Sequence, residues 1–240
     1  METHRIVLVT GASRGIGRAI VMELVRQGVQ PVLTATSQAV LDELADTIAS
    51  ETGRRPLAVA ADLTEETAIA NLVDAVARVH GRLDGLVNNA GVTFSGKIEQ
   101  TPTEAWDRCM VINARGPFIL CRRGLPLLRK AEDPCIINIS SVVGVKGYAN
   151  QTAYTASKHA LRGFSIALAE ELHPEGIRVH VICPGGVDTD LVRRVRPDIP
   201  ADELIQPQEI AQWTVFLLTR QGRGVVDEIH IRRTSSPPWF

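Results

Sequence analysis

Two side chains four residues apart, Tyr154 and Lys158 in the segment YTASK, could together transfer a proton. Residues at this spacing share one face of a helix, so a helix here would bring the phenol close to the ammonium group. Tyrosine, with an ordinary pKa of about 10, is a poor base at neutral pH, but a nearby positive charge favours the phenolate. Tyr154 could then take a proton from an alcohol or give one to an alkoxide. Taken alone, such a pair is more typical of an exposed helix surface.

A glycine-rich turn lies near the start of the chain, in the segment TGASRGIG at residues 10–17. It follows the apolar run 6–9 and precedes a helical pattern, and the absence of side chains at Gly11, Gly15 and Gly17 would let a pyrophosphate approach the backbone. A helix N-terminus supplies unpaired N–H groups and partial positive charge for such an anion. The spacing differs from the GxGxxG of many dinucleotide-binding folds, and a tight turn without a ligand is the alternative.

Short apolar runs alternate with amphipathic stretches along the chain, which predicts a parallel sheet with helices on both faces. The predicted strands are 5–10, 30–35, 57–61, 83–88, 135–140, 177–183 and 225–231. The predicted helices are 16–27, 38–51, 65–79, 103–130, 152–173 and 208–219. The segment 184–207, rich in proline, glycine and charge, breaks this rhythm and predicts a substrate lid at about 186–207.

Composition excludes several other functions. The net charge of −1 and the lack of a long basic run argue against nucleic acid as a partner. The sequence has no run of about 18 apolar residues, which a membrane span would need, and no recognisable signal peptide. We therefore expect a cytoplasmic protein with reduced thiols. The cysteines form no CxxC pair and the histidines no ligand spacing, so no metal site is predicted. His159 is expected to pack or to face solvent.

The glycine spacing TGxxxGxG resembles that of the short-chain dehydrogenase/reductase family, and further segments match the family in the same order. A single motif could arise by chance, but an ordered series over about residues 5–190 favours membership. The matching segments are Asp62-Leu63, NNAG at 88–91, Asn113 in VINARGPF, Ser140-Ser141, YTASK at 154–158, and Pro184-Gly185 with Thr189. The resemblance implies a doubly wound Rossmann fold, and we predict one α/β domain over 1–240 with a seven-stranded parallel sheet of order 3-2-1-4-5-6-7.

The resemblance also implies roles for individual residues. Tyr154 would be the acid or base, Ser141 would hold the substrate oxygen, and Asn113 would hold a water beside Lys158, which would also contact the nicotinamide ribose. No metal takes part. The residues expected to contact the cofactor are Gly11, Ser13, Arg14, Gly15, Ile16, Gly17, Thr36, Ser37, Asp62, Leu63, Asn89, Ala90, Gly91, Tyr154, Lys158, Pro184, Gly185, Val187 and Thr189.

The end of the second predicted strand bears on the choice between NADP and NAD. NAD-binding members usually carry an acidic residue there, for the ribose 2′-hydroxyl. This chain has Ala35, Thr36 and Ser37, with no carboxylate before Asp42, so a 2′-phosphate would meet no repulsion. Arg14 could pair with that phosphate, although it could also simply be solvated. We expect NADP(H), with NAD-dependent alcohol oxidation as an alternative.

The substrate is expected to be a small ketone or aldehyde, or the matching alcohol. TGASRGIG, TATS and SSVVG resemble 3-oxoacyl-(acyl carrier protein) reductases. A docking site for the acidic carrier protein should be basic, but Glu132-Asp133 and Glu175 occupy the places of family arginines, although Arg193, Arg194 and Arg196 could compensate. The C-terminus VDEIHIRRTSSPPWF also departs from the usual VDGG, so the pocket floor near 228–240 should differ. A non-catalytic nucleotide-binding regulator is a further alternative, but it would not need a proton relay.

Assembly is expected from the resemblance alone. Members commonly pair through the helices corresponding to 103–130 and 152–173, which implies a homodimer or a homotetramer. The apolar side chains expected to supply the extra surface are Val111, Phe118, Leu120, Leu125, Leu161, Phe164, Leu168 and Leu172.

Overall fold

A computed structural model describes residues 4–238 of the chain, and its centre is a sheet of seven strands. All neighbouring strands are parallel and lie in the order 3-2-1-4-5-6-7, which confirms the predicted topology. The strands are β1 (Ile6–Thr10), β2 (Gln30–Thr34), β3 (Leu57–Ala58), β4 (Gly85–Asn88), β5 (Cys135–Ile139), β6 (Arg178–Pro184) and β7 (Glu228–Ile231).

Eight α-helices connect and cover these strands. They are α1 (Gly15–Arg26), α2 (Gln38–Thr52), α3 (Glu66–His80), α4 (Thr103–Met110), α5 (Gly116–Leu128), α6 (Thr152–Leu172), α7 (Asp190–Val195) and α8 (Pro207–Thr219).

The central strands are apolar throughout because both faces of the sheet are covered. In β1, for example, Val7 and Val9 pack into a core with α1, α2 and α8, whereas Ile6 and Leu8 pack into a second core with α3, α5 and α6. Side chains alternate between the two faces of a strand, so a strand covered on both faces requires a continuous apolar run.

The edge strands are shorter than predicted. In β3 only Leu57 and Ala58 pair in register with β2. The Gln38 side chain accepts a hydrogen bond from the Ala60 N–H (2.8 Å) and donates one to the Ala58 carbonyl (3.2 Å). It therefore satisfies backbone groups at the edge of the sheet, where no further strand could pair with them. At the other edge, β7 begins at Glu228 rather than at residue 225.

The prediction of one continuous helix over 103–130 is wrong. A π-helical turn, Val111–Arg115, separates α4 from α5 and contains Asn113. A π turn inserts a residue into the helical ladder and so redirects the side chains that follow, and such turns are frequent at functional sites.

The segment predicted as a lid is ordered and held at both ends. Its first residues pair with its last: the Asp188 N–H donates to the Ile205 carbonyl (2.8 Å), and the Ile205 N–H donates to the Gly186 carbonyl (3.0 Å). The short helix α7 lies between them and is capped at its N-terminus by Thr189, whose hydroxyl accepts a hydrogen bond from the Val192 N–H. This helix was not predicted, because charge and proline dominate the local pattern.

The apolar surface predicted for assembly is only partly present. Phe118 is 43% exposed and makes an edge-to-face contact with the ring of Phe164, with centroids 6.0 Å apart. Four other side chains that were predicted to add exposed apolar surface are instead buried in the core, because α5 and α6 each bury one face against the sheet. They are Leu120, Leu161, Leu168 and Leu172. Among the described helices none is long and apolar enough to cross a membrane.

Candidate active site

The glycine turn lies at the carboxyl end of β1, where the strand order reverses between β1 and β4. Gly11 and Gly15 have positive φ angles of +66° and +53°. A Cβ on Gly17 would lie 2.1 Å from the Gly11 carbonyl oxygen, so no larger residue fits. Helix α1 begins without a side-chain cap and without an acidic residue in its first turn, which leaves its N–H groups for an anion. The turn therefore fits a phosphate group.

The loop after β4 is fastened to the end of β1. The Thr10 hydroxyl accepts hydrogen bonds from the backbone N–H groups of Asn89 and Ala90, both at 2.9 Å. The Asn89 side chain donates to the Thr10 carbonyl at 2.8 Å. A Cβ on Gly11 would approach the Asn89 amide nitrogen to 3.0 Å, so glycine is what lets the two loops close together. These contacts form one wall of a cleft.

Tyr154 and Lys158 lie on the same face of α6, as their spacing predicts. The Lys158 Nζ is 6.0 Å from the centroid of the Tyr154 ring and donates a hydrogen bond to the Ile139 carbonyl at the end of β5 (2.8 Å). Ser141 follows two residues later and begins a short 3₁₀ turn, Val142–Gly144, by accepting a hydrogen bond from the Val143 N–H. Strand β5 thus holds both the lysine and the serine beside the tyrosine.

Asn113 lies behind this group and is fully buried. Its side-chain oxygen accepts from the Val92 N–H, and its amide group donates to the Val92 carbonyl, both at 2.8 Å. The same amide also donates to the Ser157 hydroxyl on α6 (2.9 Å). A Cβ on Gly91 would lie 3.3 Å from the Asn113 oxygen and 3.5 Å from the Lys158 Nζ, so Asn113 and Lys158 flank that glycine. Asn113 therefore joins the cleft wall to the helix that carries Tyr154.

Burial controls the protonation of the site. It raises the pKa of Tyr154 to about 12, although a hydrogen bond with Ser141 acts in the opposite direction. It lowers the pKa of Lys158 to about 8. For the groups of this chain alone, desolvation disfavours both charged forms and is the largest influence on both pKa values, so the nearby lysine does not by itself bring the pKa of the phenol down.

These groups line one large cavity of about 1360 Å³ along the carboxyl ends of the strands. The glycine turn lies at one end, and Ser141, Tyr154 and Lys158 lie further along. Three predicted residues do not line it: Gly17 and Asn113 lie behind its wall, and Ser37 precedes α2. The other predicted cofactor residues line it: Gly11, Ser13, Arg14, Gly15, Ile16, Thr36, Asp62, Leu63, Asn89, Ala90, Gly91, Tyr154, Lys158, Pro184, Gly185, Val187 and Thr189.

Arg14 is exposed and reaches across the cavity mouth. Its Nη1 lies 3.2 Å from a carboxylate oxygen of Asp190, the first residue of α7. An exposed pair of this kind contributes little to stability, so an anion could displace Asp190 at small cost. Thr36 lines the cavity close to the end of β2, and Asp62 beyond β3 has a lowered pKa because Thr64 donates hydrogen bonds to its carboxylate.

Comparison with known proteins identifies the class of chain that carries this arrangement. Residues 5–200 match the family described as short chain dehydrogenase. The chain belongs to that family. It is 34% identical over 236 residues to 3-oxoacyl-[acyl-carrier-protein] reductase FabG of Salmonella typhimurium, with 95% of each chain covered. It is 33% identical over 244 residues to the uncharacterized oxidoreductase YxjF of Bacillus subtilis, covering 93% of this chain and 95% of the relative. The resemblance inferred from the sequence is confirmed.

Solved short-chain dehydrogenase structures share the whole architecture. An alcohol dehydrogenase from Thermococcus sibiricus, complexed with 5-hydroxy-NADP, superimposes with a TM-score of 0.91 at 25% identity and covers 99% of this chain and 100% of its own. A metagenomic short-chain oxidoreductase in complex with NADP gives a TM-score of 0.83 at 35% identity, with 96% and 97% covered.

One group of side chains with metal-ligand chemistry in this short-chain dehydrogenase was not predicted from the sequence. Cys183, Glu228 and His230 bring their ligand-type atoms within 4.8 Å of one another. Cys183 pairs with His230 across β6 and β7, and Glu228 lies two residues away on the same face, so only the strand register reveals the group. The Arg162 guanidinium donates to both Glu228 oxygens at 2.9 Å, which supplies positive charge there and favours an ion-pair network over a metal ion.

The tail belongs to the cavity wall, as the expectation of a changed pocket floor near 228–240 implied, although no tail residue was named as part of the site. His230, Arg232, Arg233 and residues 236–238 line the cavity beyond Tyr154. The departure from the usual VDGG ending was the available signal, since larger residues there had to change the pocket floor. The tail residues reach the cavity because the end of β7 lies beside Gly185, and this contact between distant segments has no signal in the sequence.

Proposed function

We propose that this protein is an NADP(H)-dependent oxidoreductase that interconverts a ketone or aldehyde and an alcohol. The observation that carries the proposal is the position of Tyr154, Lys158 and Ser141 in the same cavity as the uncapped glycine turn. Family membership supports the reaction class. The segment 186–207, with α7, would act as the substrate lid of a single domain.

The cofactor proposal rests on how the residues fit a dinucleotide. The glycine turn leaves room and N–H donors for the pyrophosphate, and no carboxylate stands at the end of β2 to repel a 2′-phosphate. Arg14 and Thr36 would bind that phosphate, with Arg14 leaving Asp190. The NADP complex of the metagenomic relative supports this choice. When bound, the nicotinamide supplies or accepts the hydride. A comparison of the affinities for NADPH and NADH tests the preference over NAD.

The residues around the reacting carbonyl would divide the work. Tyr154, protonated at neutral pH because its pKa is raised, would donate the proton during reduction. The Ser141 hydroxyl would hold the substrate oxygen beside it. Lys158 would bind the nicotinamide ribose, and Asn113, fixed by its bonds to Val92 and Ser157, would hold a water beside that lysine.

The decisive experiment replaces Tyr154 by phenylalanine. We expect Tyr154→Phe to reduce turnover by about 10²–10⁴-fold, because the proton donor is lost while the ring remains. NADPH binding, followed by cofactor fluorescence, should stay within about twofold. Tyr148→Phe, which changes the one other tyrosine of the chain, should retain measurable turnover. Unchanged turnover in Tyr154→Phe would refute the assigned role.

Reduction of carrier-bound 3-oxoacyl groups is a second candidate, which the FabG relatives favour. The acidic residues that argued against it are partly neutralised: Asp133 bonds to Arg5 and Arg178, and Glu175 bonds to Arg129. The lid arginines compensate less than expected, since Arg193 and Arg196 are paired with Asp188 and Asp198. Comparing a 3-oxoacyl thioester with simple ketones distinguishes the two functions.

We also propose that the protein assembles into a homodimer or a homotetramer. The exposed rings and aliphatic side chains on α5 and α6, including Phe118 and Ile166, support pairing through these helices. The molar mass in solution, measured by light scattering, tests it: a monomer at micromolar concentration would contradict the proposal.

A further inference from the structure

The cavity wall beyond the reacting groups is formed by the chain's own tail. The Ser141 hydroxyl donates to the Pro184 carbonyl (3.5 Å), and the next N–H, that of Gly185, donates to the Ile231 carbonyl (2.7 Å). A Cβ on Gly185 would lie 3.6 Å from the Cα of Arg232. This run of contacts places Arg232 next to the end of β6, one short step from the serine beside Tyr154.

This tail end of the cavity is lined by positive charge. Among residues 4–238, the acidic side chains that line the cavity are Asp62, Asp188 and Asp190. Asp190 bonds to Arg14 in the glycine turn, and Asp188 is paired with Arg193, so neither pairs with the tail in the described chain. The cationic side chains that line the tail end are Lys146, Arg196, Arg232 and Arg233.

Two of these cations already have carboxylate partners. Arg196 makes two hydrogen bonds to Asp198, at 2.9 and 2.7 Å, and Arg233 bonds to Glu203 at 2.9 Å. Their charge is therefore largely compensated within the chain.

Arg232 differs from these neighbours. In the described part of the chain its guanidinium has no carboxylate within 4 Å, and only Nη1 donates, to the carbonyls of Arg233, Thr234 and Ser236. Those bonds orient the side chain. The edge formed by Nε and Nη2 keeps its donors available, and this is an edge that binds a carboxylate or phosphate through two parallel hydrogen bonds.

We propose that the substrate carries an anionic group, a carboxylate or a phosphate, that pairs with Arg232 while the carbonyl lies at Tyr154. This inference rests on the proposed carbonyl reduction and specifies the remainder of the substrate. The proposed cofactor phosphates are assigned to the glycine turn and Arg14, which bonds to Asp190, whereas Arg232 lies beside Gly185 and bonds within the tail. A cation that its own tail orients, and that has no carboxylate partner among residues 4–238, is suited to recognising a second anion.

The test measures discrimination between matched ketones that differ in charge. 4-Acetylbenzoate is compared with its methyl ester, and 4-acetylphenyl phosphate with 4-acetylphenol, using kcat/KM for NADPH-dependent reduction. We expect the charged member of at least one pair to be favoured by about tenfold, the usual effect of a hydrogen bond to a charged group. The preferred pair tells a carboxylate site from a phosphate site. The preference should weaken as ionic strength rises.

Variants separate charge recognition from a structural role of the tail. Arg232→Gln and Arg232→Met should lower the ratio of kcat/KM within the preferred pair by about tenfold, mainly through KM, while Arg232→Lys, which keeps the charge but not the paired donors, should keep only part of it. Arg223→Gln is the matched control, because this exposed arginine lies outside the cavity and has no partner in the described chain. General damage to the tail affects both ketones of a pair and cancels in the ratio.

The inference fails if the ratio is near one in the unaltered enzyme for both pairs, or if Arg232→Gln leaves it unchanged. Failure of the proposed function looks different: neither ketone is reduced, or Tyr154→Phe is fully active. In that case calorimetric titration of 4-acetylbenzoate and its ester into the NADP⁺-saturated protein still decides the matter. Binding of the acid that weakens about tenfold in Arg232→Gln supports the anion site, and equal binding of acid and ester overturns it.

Discussion

Replacing Lys158 by methionine should stabilise the protein while removing its activity. Lys158 is 3% exposed, and burial lowers its pKa from 10.5 to about 8. That fall corresponds to about 3 kcal/mol of destabilisation of the folded state at neutral pH, since each pKa unit is worth about 1.4 kcal/mol. Methionine loses the hydrogen bond to the Ile139 carbonyl, which costs about 1 kcal/mol. We therefore expect Lys158→Met to be more stable by about 2 kcal/mol.

The advantage of the variant should depend on pH in a defined direction. Below pH 8 Lys158 is protonated in both the folded and the unfolded chain, so the whole destabilisation is present. Between about pH 8 and 10.5 the unfolded chain binds more protons than the folded one, so the stability contributed by this group rises with pH. The advantage of Lys158→Met should accordingly be full at pH 7 and mostly gone by pH 10.

The assay is urea unfolding of the protein without nucleotide, at pH 7 and at pH 10. Buried thiols such as Cys121 and Cys135, with pKa values raised to about 12, also make stability depend on pH, but they are common to both proteins and cancel in the difference. Lys130→Met, at an exposed lysine, is the control and should change stability by less than about 0.5 kcal/mol. A variant less stable than the parent at pH 7, or a difference that is the same at both pH values, would refute the reasoning.

Two further substitutions test the cleft wall. Gly17→Ala should lower stability by about 1–3 kcal/mol and weaken NADPH binding at least about tenfold, because its Cβ would meet the Gly11 carbonyl; Gly163→Ala, with open space around it in α6, should leave binding unchanged in the same fluorescence titration. Asn113→Ala should cost about 2–4 kcal/mol in urea unfolding, because it leaves the Val92 N–H and carbonyl without their side-chain partner and removes one of the two hydrogen bonds of the Ser157 hydroxyl. Stability within about 0.5 kcal/mol of the parent would contradict either expectation.

The parallel sheet could be predicted because its signal is local. Each central strand is a short apolar run, as in Ile6–Thr10, and each is separated from the next by an amphipathic helix. A strand that is covered on both faces of the sheet needs a continuous apolar run, so these runs predict a parallel sheet between two layers of helices. The order of the strands came from the family resemblance. The position of Tyr154 one helical turn from Lys158 followed from helix geometry in the same way.

What could not be predicted depends on contacts between distant parts of the chain. The π turn at Asn113 has no sequence signal of its own, and it is accompanied by the bonds that Asn113 makes to Val92 and Ser157. The cluster around Glu228 requires the register of β6 against β7. The burial that raises the pKa of Tyr154 could not be inferred either, because spacing reveals a nearby charge but not the depth at which the phenol lies.

That burial has a consequence for the chemistry. A dry site moves Tyr154 and Lys158 in opposite directions along the pH scale, and both shifts favour the neutral form. With a phenol pKa of about 12 the tyrosine keeps its proton throughout the neutral range, so the groups of this chain alone are suited to donating a proton to a carbonyl oxygen. Removing a proton from an alcohol would require added positive charge near the phenol.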